Sequence, residues 1–363
     1  MTDFVNAELS GQVGCITLNR PKALNALNLP LVRAITAALL AWRDDAAVHA
    51  VAIRGSDKNG AFGNFCAGGD IRFFHAAALA GHPELEDFFT EEYALNHLIQ
   101  TYPKPVIAFM DGIVMGGGMG LAQGASLRIV TERSKLAMPE TLIGLFPDVG
   151  GGHFLSRCPG HLGEWLALTG STLNSTEAIA AGLADHPMAV NQMPAAWAAL
   201  ASLDFAGDQT LKKWIAHFSI AVCPGSTWSA ADIDHFFALP DVRDMIALLE
   251  AAAGNSAWAA HTATLLRQRS PLMLHVTLEQ VRRARTMTLA DALRMERDLV
   301  RHCFHQRPGV ASETVEGIRA LAVDKDHAPR WNPGRIEDVQ AADVAAFFAS
   351  PWPAHAHPLR GLA

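Results

Sequence analysis

Two carboxylates and two clusters of glycine stand where this sequence could do chemistry. Glu140 and Asp148 each follow a proline and sit among Leu136, Ala137, Met138, Leu142, Ile143, Leu145 and Phe146. A carboxylate in apolar surroundings needs a partner, a raised pKa, or both. Two of them around a glycine-rich turn read as acid/base machinery, and the competing reading is a pair of loop caps binding backbone N–H groups. Upstream, Gly116, Gly117 and Gly118 lead into a short helix of small residues that is expected to run through Ala125. Such a start aims unpaired N–H groups and the positive helix end at whatever lies in front, and glycine lets a ligand come close to the backbone. An oxyanion would be well served there. The competing reading is that the glycines permit tight helix packing. Spacing excludes two familiar glycine loops. A G-x-G-x-x-G starting at Gly118 would need glycine where Gln123 stands, and no G-x-x-x-x-G-K-[ST] occurs, so neither a dinucleotide nor a nucleoside triphosphate is the first reading.

The elements that must position these residues alternate. Val106 to Phe109 reads as a buried strand followed by an Asp111-Gly112 turn. Phe4–Leu9 and Cys15–Leu18 read as a hairpin, and Val51–Ile53, Ile129–Val130 and Leu136–Met138 as further strands. Leu29 to Arg43 reads as a helix, because Val32, Ile35, Leu39 and Trp42 recur at steps of three and four. Helices are also expected after Asp70, over Glu84 to Gln100, over Gly160 to Thr169 and over Ser175 to Ala181. This is an α/β organisation. From Pro194 strand signals vanish, and Trp197–Leu203, Leu211–Phe218, Val242–Ala252 and Ala257–Arg267 read as helices. Thr288 and Asp291 resemble a capping box before a helix reaching about Phe304. The expected division is a core over residues 1–193, a helical region over 194–349, and a proline-rich, mobile tail over 350–363.

Composition narrows the function classes. Half of the 363 residues are hydrophobic, which supports a sizeable core. A net charge of −7 with no long basic run argues against nucleic acid. The cysteines at 15, 66, 158, 223 and 303 contain no C-x-x-C, so neither a disulfide framework nor a zinc site is expected, and they read as reduced and partly buried. The first fourteen residues carry no signal-peptide or transit-peptide pattern, which makes cytoplasm the expected compartment. No apolar span reaches about 20 residues, so no membrane segment is expected.

MGGGMG at 115–120, AMPET at 137–141 and IGLFPDVGGG at 143–152, with FCAGGDIR at 65–72, resemble the crotonase (enoyl-CoA hydratase/isomerase) superfamily. The run from Glu313 to Pro333 resembles its 3-hydroxyisobutyryl-CoA hydrolase branch. The resemblance implies a crotonase-like spiral of ββα units with a helical C-terminal part. It implies that the N–H groups of Gly69 and Gly117 hold a thioester carbonyl oxygen, and that Glu140 and Asp148 are the two catalytic acids. Glu92 matches a substrate-contacting glutamate of the hydrolase branch, whereas without the resemblance it would read as a solvated helix residue. Lys22, Ala23, Leu24, Ala67 and Ile71 lie where the family holds coenzyme A, with Lys22, Arg72, Arg282, Arg283 and Arg285 as candidates for the phosphates. Gly120 departs from the hydratases, which carry a second catalytic glutamate at that place. The implied activity is hydrolysis of a short 3-hydroxyacyl-CoA thioester, as in valine breakdown. No metal and no cofactor are implied, since coenzyme A is part of the substrate, and self-association is a family habit. The rivals are an enoyl-CoA hydratase or isomerase of the same fold and a non-catalytic acyl-CoA-binding protein.

Overall fold

The computed structural model of the chain describes residues 4–363 apart from 59, 61, 207, 208, 222–224 and 227. Of the expected cysteines, Cys223 lies outside the described residues; Cys15, Cys66, Cys158 and Cys303 are buried thiols. Contacts divide the chain into two units, each assembled from three stretches. The first takes residues 1–69, 94–137 and 172–227, and the second takes 70–93, 138–171 and 228–363.

The first unit holds the sheets. Strands β1 (Val5–Ser10), β2 (Val13–Leu18), β3 (Ala50–Gly55), β4 (Val106–Met110), β5 (Ile113–Met115), β6 (Leu127–Val130), β7 (Lys135–Ala137) and β8 (His186–Pro187) follow in chain order. Six form one sheet in the order β1-β2-β3-β4-β6-β8, parallel except for the antiparallel β1–β2 hairpin, and β5 pairs with β7 in a small parallel sheet. The hairpin turns on Gly11 and Gln12, with Ser10 opposite Val13, and Gly11 takes φ 58°. β2 is buried along its whole length and β4 likewise, the unbroken apolar reading of a parallel sheet covered on both faces.

The helix Leu29–Arg43 forms because its apolar residues share one face and because the Asn28 side chain accepts the Leu31 N–H, a cap worth about 1 kcal/mol. The core of this unit joins Val13, Cys15, Ala52, Ile107 and Ile129 to Phe109, Trp197, Trp214 and Ile215. Phe109 packs edge-on against Trp197 at 5.2 Å and lies 6.0 Å from Trp214. Each such burial contributes about 1.5–3 kcal/mol. The helices Met193–Ala199 and Thr210–Phe218 therefore complete the sheet unit, although they lie beyond residue 193 in sequence.

The second unit is helical among the described residues. Its helices include Ile71–Ala80, Leu162–Thr169, Ala230–Phe237, Val242–Ala252, Ala257–Arg267, Pro271–Ala284, Leu289–His305 and Glu313–Ile318. The long helix Glu84–Gln100 belongs to this unit as far as Tyr93. Thr288 caps Leu289–His305 as its sequence suggests, its hydroxyl accepting the Asp291 N–H at 3.1 Å. Pro271–Ala284 was not anticipated, although His275, Glu279, Arg282 and Arg283 share its less buried face and the remaining residues are buried. The tail expected to be mobile is tied down. Leu359 and His357 are buried, and Arg294 donates to the carbonyls of Leu359 and Leu362.

Candidate functional site

The glycine donors belong to the first unit. Cys66 runs alongside β5, donating its N–H to Ile113 O at 3.0 Å and accepting that of Met115 at 3.0 Å. This pairing lays Gly68 and Gly69 beside Met115–Gly117. A β-carbon on Gly68, which takes φ 105°, would lie 3.3 Å from Met115 O and 3.7 Å from Gly117 N. One on Gly118 would fall 2.3 Å from Cys66 O, so only glycine admits the approach there. Gly117 opens the helix Gly117–Gln123 after Gly116 at φ 49°, and its N–H belongs to the first turn, where helical donors have no partner. Two amide segments far apart in sequence are thus juxtaposed, as an oxyanion hole requires. Gly120 is buried in the same helix and presents no side chain.

The residues expected to meet coenzyme A split between the units. Lys22 and Ala23 lie in the short 3-10 turn Pro21–Ala23, and Leu24 follows at φ 51°. Ala67 donates its N–H to Leu24 O at 3.1 Å, and Leu27 donates to Gly68 O at 2.7 Å. The loop 22–24 is therefore held against the segment that carries Gly69. Asn25, fully buried, fastens this loop from beneath by donating to Ser56 O (3.0 Å) and Asn64 O (2.7 Å). Ile71, in the second unit, is the first residue of the helix Ile71–Ala80, capped by the Asp70 side chain. The arginines suggested for phosphate are engaged elsewhere. Arg282 donates to Leu239 O and to Pro240 O, Arg283 pairs with Glu279 at 2.7 Å, and Arg285 pairs with buried Glu164. Lys22 and Arg72 are exposed.

The acids belong to the second unit. Glu140 opens the 3-10 turn Glu140–Ile143 after Pro139, is 6 % exposed, and has one carboxylate oxygen with no hydrogen-bond partner. Burial pushes its carboxyl well above the usual range, and the charge of Asp148 adds to the shift. Asp148 is 5 % exposed and accepts the Tyr93 hydroxyl at 2.7 Å. Burial lifts it to about 6 against the opposing pull of Tyr93. Glu92 is buried too, raised well above the usual range by burial and then by the charges of Asp148 and Glu140. The structure thus corrects the solvated-helix reading of Glu92 and places Glu92, Glu140 and Asp148 within electrostatic reach of one another. Burial and mutual repulsion make such carboxyls share protons unequally, which is how acid and base roles are divided among them.

Two members of this cluster were not anticipated. Tyr93 is fully buried and adjoins Glu92. Glu296, also fully buried, accepts the Gly150 N–H at 2.7 Å and the Gly152 N–H at 2.9 Å. Its signal in the sequence is position: Leu293, Glu296, Val300 and Phe304 share the buried stripe of the helix Leu289–His305. Among the described residues no three His, Cys, Asp or Glu side chains converge as metal ligands would. No helix among them is long and apolar enough to cross a membrane.

The enoyl-CoA hydratase/isomerase family matches the chain over residues 13–348, and the chain belongs to that family. Within it, the chain is 37% identical over 345 residues to the mitochondrial 3-hydroxyisobutyryl-CoA hydrolase of Xenopus tropicalis, covering 94% of this chain and 87% of that one. It is 35% identical over 353 residues to 3-hydroxyisobutyryl-CoA hydrolase 1 of Arabidopsis thaliana, covering 95% and 91%. Among solved structures it is similar to a carnitinyl-CoA dehydratase from Mycobacterium thermoresistibile, with TM-score 0.86, 37% identity and coverage of 97% and 98%. An enoyl-CoA hydratase from Rhodobacter sphaeroides 2.4.1 gives 0.83, 37%, 96% and 98%. The expected α/β crotonase fold with a helical C-terminal part is the fold observed.

Proposed function

We propose that the protein hydrolyses a short 3-hydroxyacyl-CoA thioester of the 3-hydroxyisobutyryl-CoA type, releasing the hydroxy acid and coenzyme A. The observation that carries this reading is the buried carboxyl pair Glu140 and Asp148, with Tyr93 donating to the latter. The relatives named as 3-hydroxyisobutyryl-CoA hydrolases support it over nearly the whole chain. In this mechanism the N–H groups of Gly69 and Gly117 take the charge that develops on the thioester oxygen, each worth roughly 3 kcal/mol in the transition state. Glu140 acts as base for water or as the carboxylate that attacks first. The carbon–sulfur bond breaks, and the departing thiolate takes a proton. A carboxyl lifted to about 6 is suited to supply it, and Asp148 is that group. Glu92 and Asp148 are the acceptors offered to the substrate's 3-hydroxyl. Lys22, Ala23, Leu24, Ala67 and Ile71 contact the coenzyme A part.

The second reading is hydration or its reverse, favoured by the two similar structures, one named as a carnitinyl-CoA dehydratase and the other as an enoyl-CoA hydratase. Gly120 speaks against it, because it offers no carboxyl where the hydratases hold their second glutamate. For the compartment we keep cytoplasm as a proposal, although the vertebrate relatives carry "mitochondrial" in their names; self-association is proposed on the family habit alone. The deciding experiment pairs 3-hydroxyisobutyryl-CoA with isobutyryl-CoA and crotonyl-CoA. Thiol release should favour the hydroxylated thioester by about 10²-fold or more in kcat/KM, since a site built for a hydroxyl is left unpaired by the analogue. Glu140→Gln should lower that rate by about 10²-fold or more. Loss of the crotonyl-CoA enone absorbance without thiol release would replace hydrolysis by hydration.

A further inference from the structure

The loop that carries Asp148 cannot keep its shape unaided. Val149 stands at φ 55° and Gly150 at φ 86°. Glycine adopts that left-handed region freely, but a β-branched valine there is strained and persists only where its surroundings over-determine it. Glu296 supplies the constraint. From the middle of the helix Leu289–His305 it takes the Gly150 N–H on one oxygen and the Gly152 N–H on the other. Gln280, from the helix Pro271–Ala284, donates both to Glu296 Oε1 (3.0 Å) and to Pro147 O (2.7 Å). The backbone is thus held on both sides of Asp148, at 147 before it and at 150 and 152 after it. The fit is close, since a β-carbon on Gly152 would lie 3.1 Å from Gln280 Nε2 and 3.2 Å from Glu296 Oε1. The two N–H groups meet two different oxygens, which a carboxyl group has and an amide lacks. An acid buried this deeply is a costly means of support, and Glu296 carries that cost although the hydrolytic steps make no use of it.

We propose that Glu296 is the positioning residue for Asp148, acting through the backbone of residues 147–152 to fix the turn that delivers the Asp148 carboxyl to the Tyr93 hydroxyl. The kinetic part of this inference rests on the hydrolase reading; the spectroscopic part does not.

The test is Glu296→Gln in the full chain. The amide keeps the volume but leaves one acceptor oxygen, so one of the two glycine N–H groups loses its partner. On 3-hydroxyisobutyryl-CoA, kcat should fall about 10- to 100-fold, the size expected when a reacting group is misplaced by about 1 Å. KM should change by less than roughly threefold, because the loss is in the transition state. In an Asp148→Asn background the same substitution should cost less than about twofold, since residues that act as one unit are not additive. Equal losses in the two backgrounds overturn the proposal. Adding Val149→Gly to Glu296→Gln should restore several-fold of the lost kcat, because glycine holds the turn without a constraint; no recovery counts against the proposal.

The spectroscopic arm needs no substrate. A carboxyl-carbon NMR titration follows Asp148, which burial lifts to about 6 against the pull of Tyr93. A loop released by Glu296→Gln disturbs both the burial and the Tyr93 bond, so the midpoint shifts. An unchanged midpoint, as for a neutral neighbour that does not shape the loop, overturns the proposal. If the native chain cleaves no hydroxyacyl thioester, the hydrolase reading fails while this arm still decides the positioning role. Should Glu296→Gln not fold, Gln280→Leu, which removes only the tie between Pro147 O and Glu296, is read the same way, with a smaller shift expected and no shift as the overturning result.

Discussion

At the scale of single residues, the carboxyls that the second unit buries include Glu92, Glu140, Asp148 and Glu296, and burial raises all four of these. Glu296 is pushed up to about 8 from an ordinary 4.5 in spite of its three donors. A carboxyl raised on folding binds its proton more tightly in the folded chain than in the unfolded one. Stability is then fully present below about 4.5 and is lost as pH rises to about 8. Within that window Glu296 contributes a slope of at most about 1.4 kcal/mol per pH unit. Glu296→Gln removes the titration, so melting temperature between pH 5 and pH 8 should fall less steeply in the variant than in the native chain. Groups shifted the other way, such as His153, lowered to about 4, are common to both proteins and cancel in the difference. Parallel curves would show that Glu296 is not a raised acid.

At the scale of elements, the two segments proposed to hold the oxyanion depend on a backbone contact rather than on side chains. Gly118→Ala sets a methyl group 2.3 Å from Cys66 O, and neither partner is a flexible side chain. The helix Gly117–Gln123 must shift, carrying the Gly117 N–H with it. Hydrolysis should drop by about 10²-fold or more, the loss typical of one oxyanion donor, with a lower melting temperature. A folded variant with native kcat would remove this pair of segments from the site. The elements also show what the sequence could reveal. Glu140 and Asp148 were legible because a carboxylate among apolar residues is conspicuous in a short window. The helices Val242–Ala252 and Ala257–Arg267 were legible to the residue because one face of each is apolar and the other solvated. Pro271–Ala284 carries the same kind of signal, since His275, Glu279, Arg282 and Arg283 share one face, whereas β5 and β8 are too short to show a period. Tyr93 and Glu296 escaped for a different reason: what each does is set by partners 55 and 146 positions away, which no local pattern encodes.

At the scale of the molecule, sequence order and spatial order part company. A boundary at residue 193 follows the loss of strand signals, yet the first unit runs to residue 227 and takes Trp197, Leu200, Trp214 and Ile215 into its core. A fragment of residues 1–193 should therefore lack a cooperative thermal transition and a stable fold, having left several of its largest core side chains behind. A cooperative transition in that fragment would show that the helices after residue 193 are dispensable to the sheet. The bond from Glu296 to Gly150 reaches across the same ordering. A ribosome adds roughly 5–20 residues per second, so Asp148 is translated about 7–30 s before the residue that shapes its loop. On the positioning reading, a nascent or prematurely terminated chain carries both acids and no working turn. Coenzyme A thioesters are spared until the last helices leave the exit tunnel, and hydrolysis doubles as a report that translation has run past residue 296.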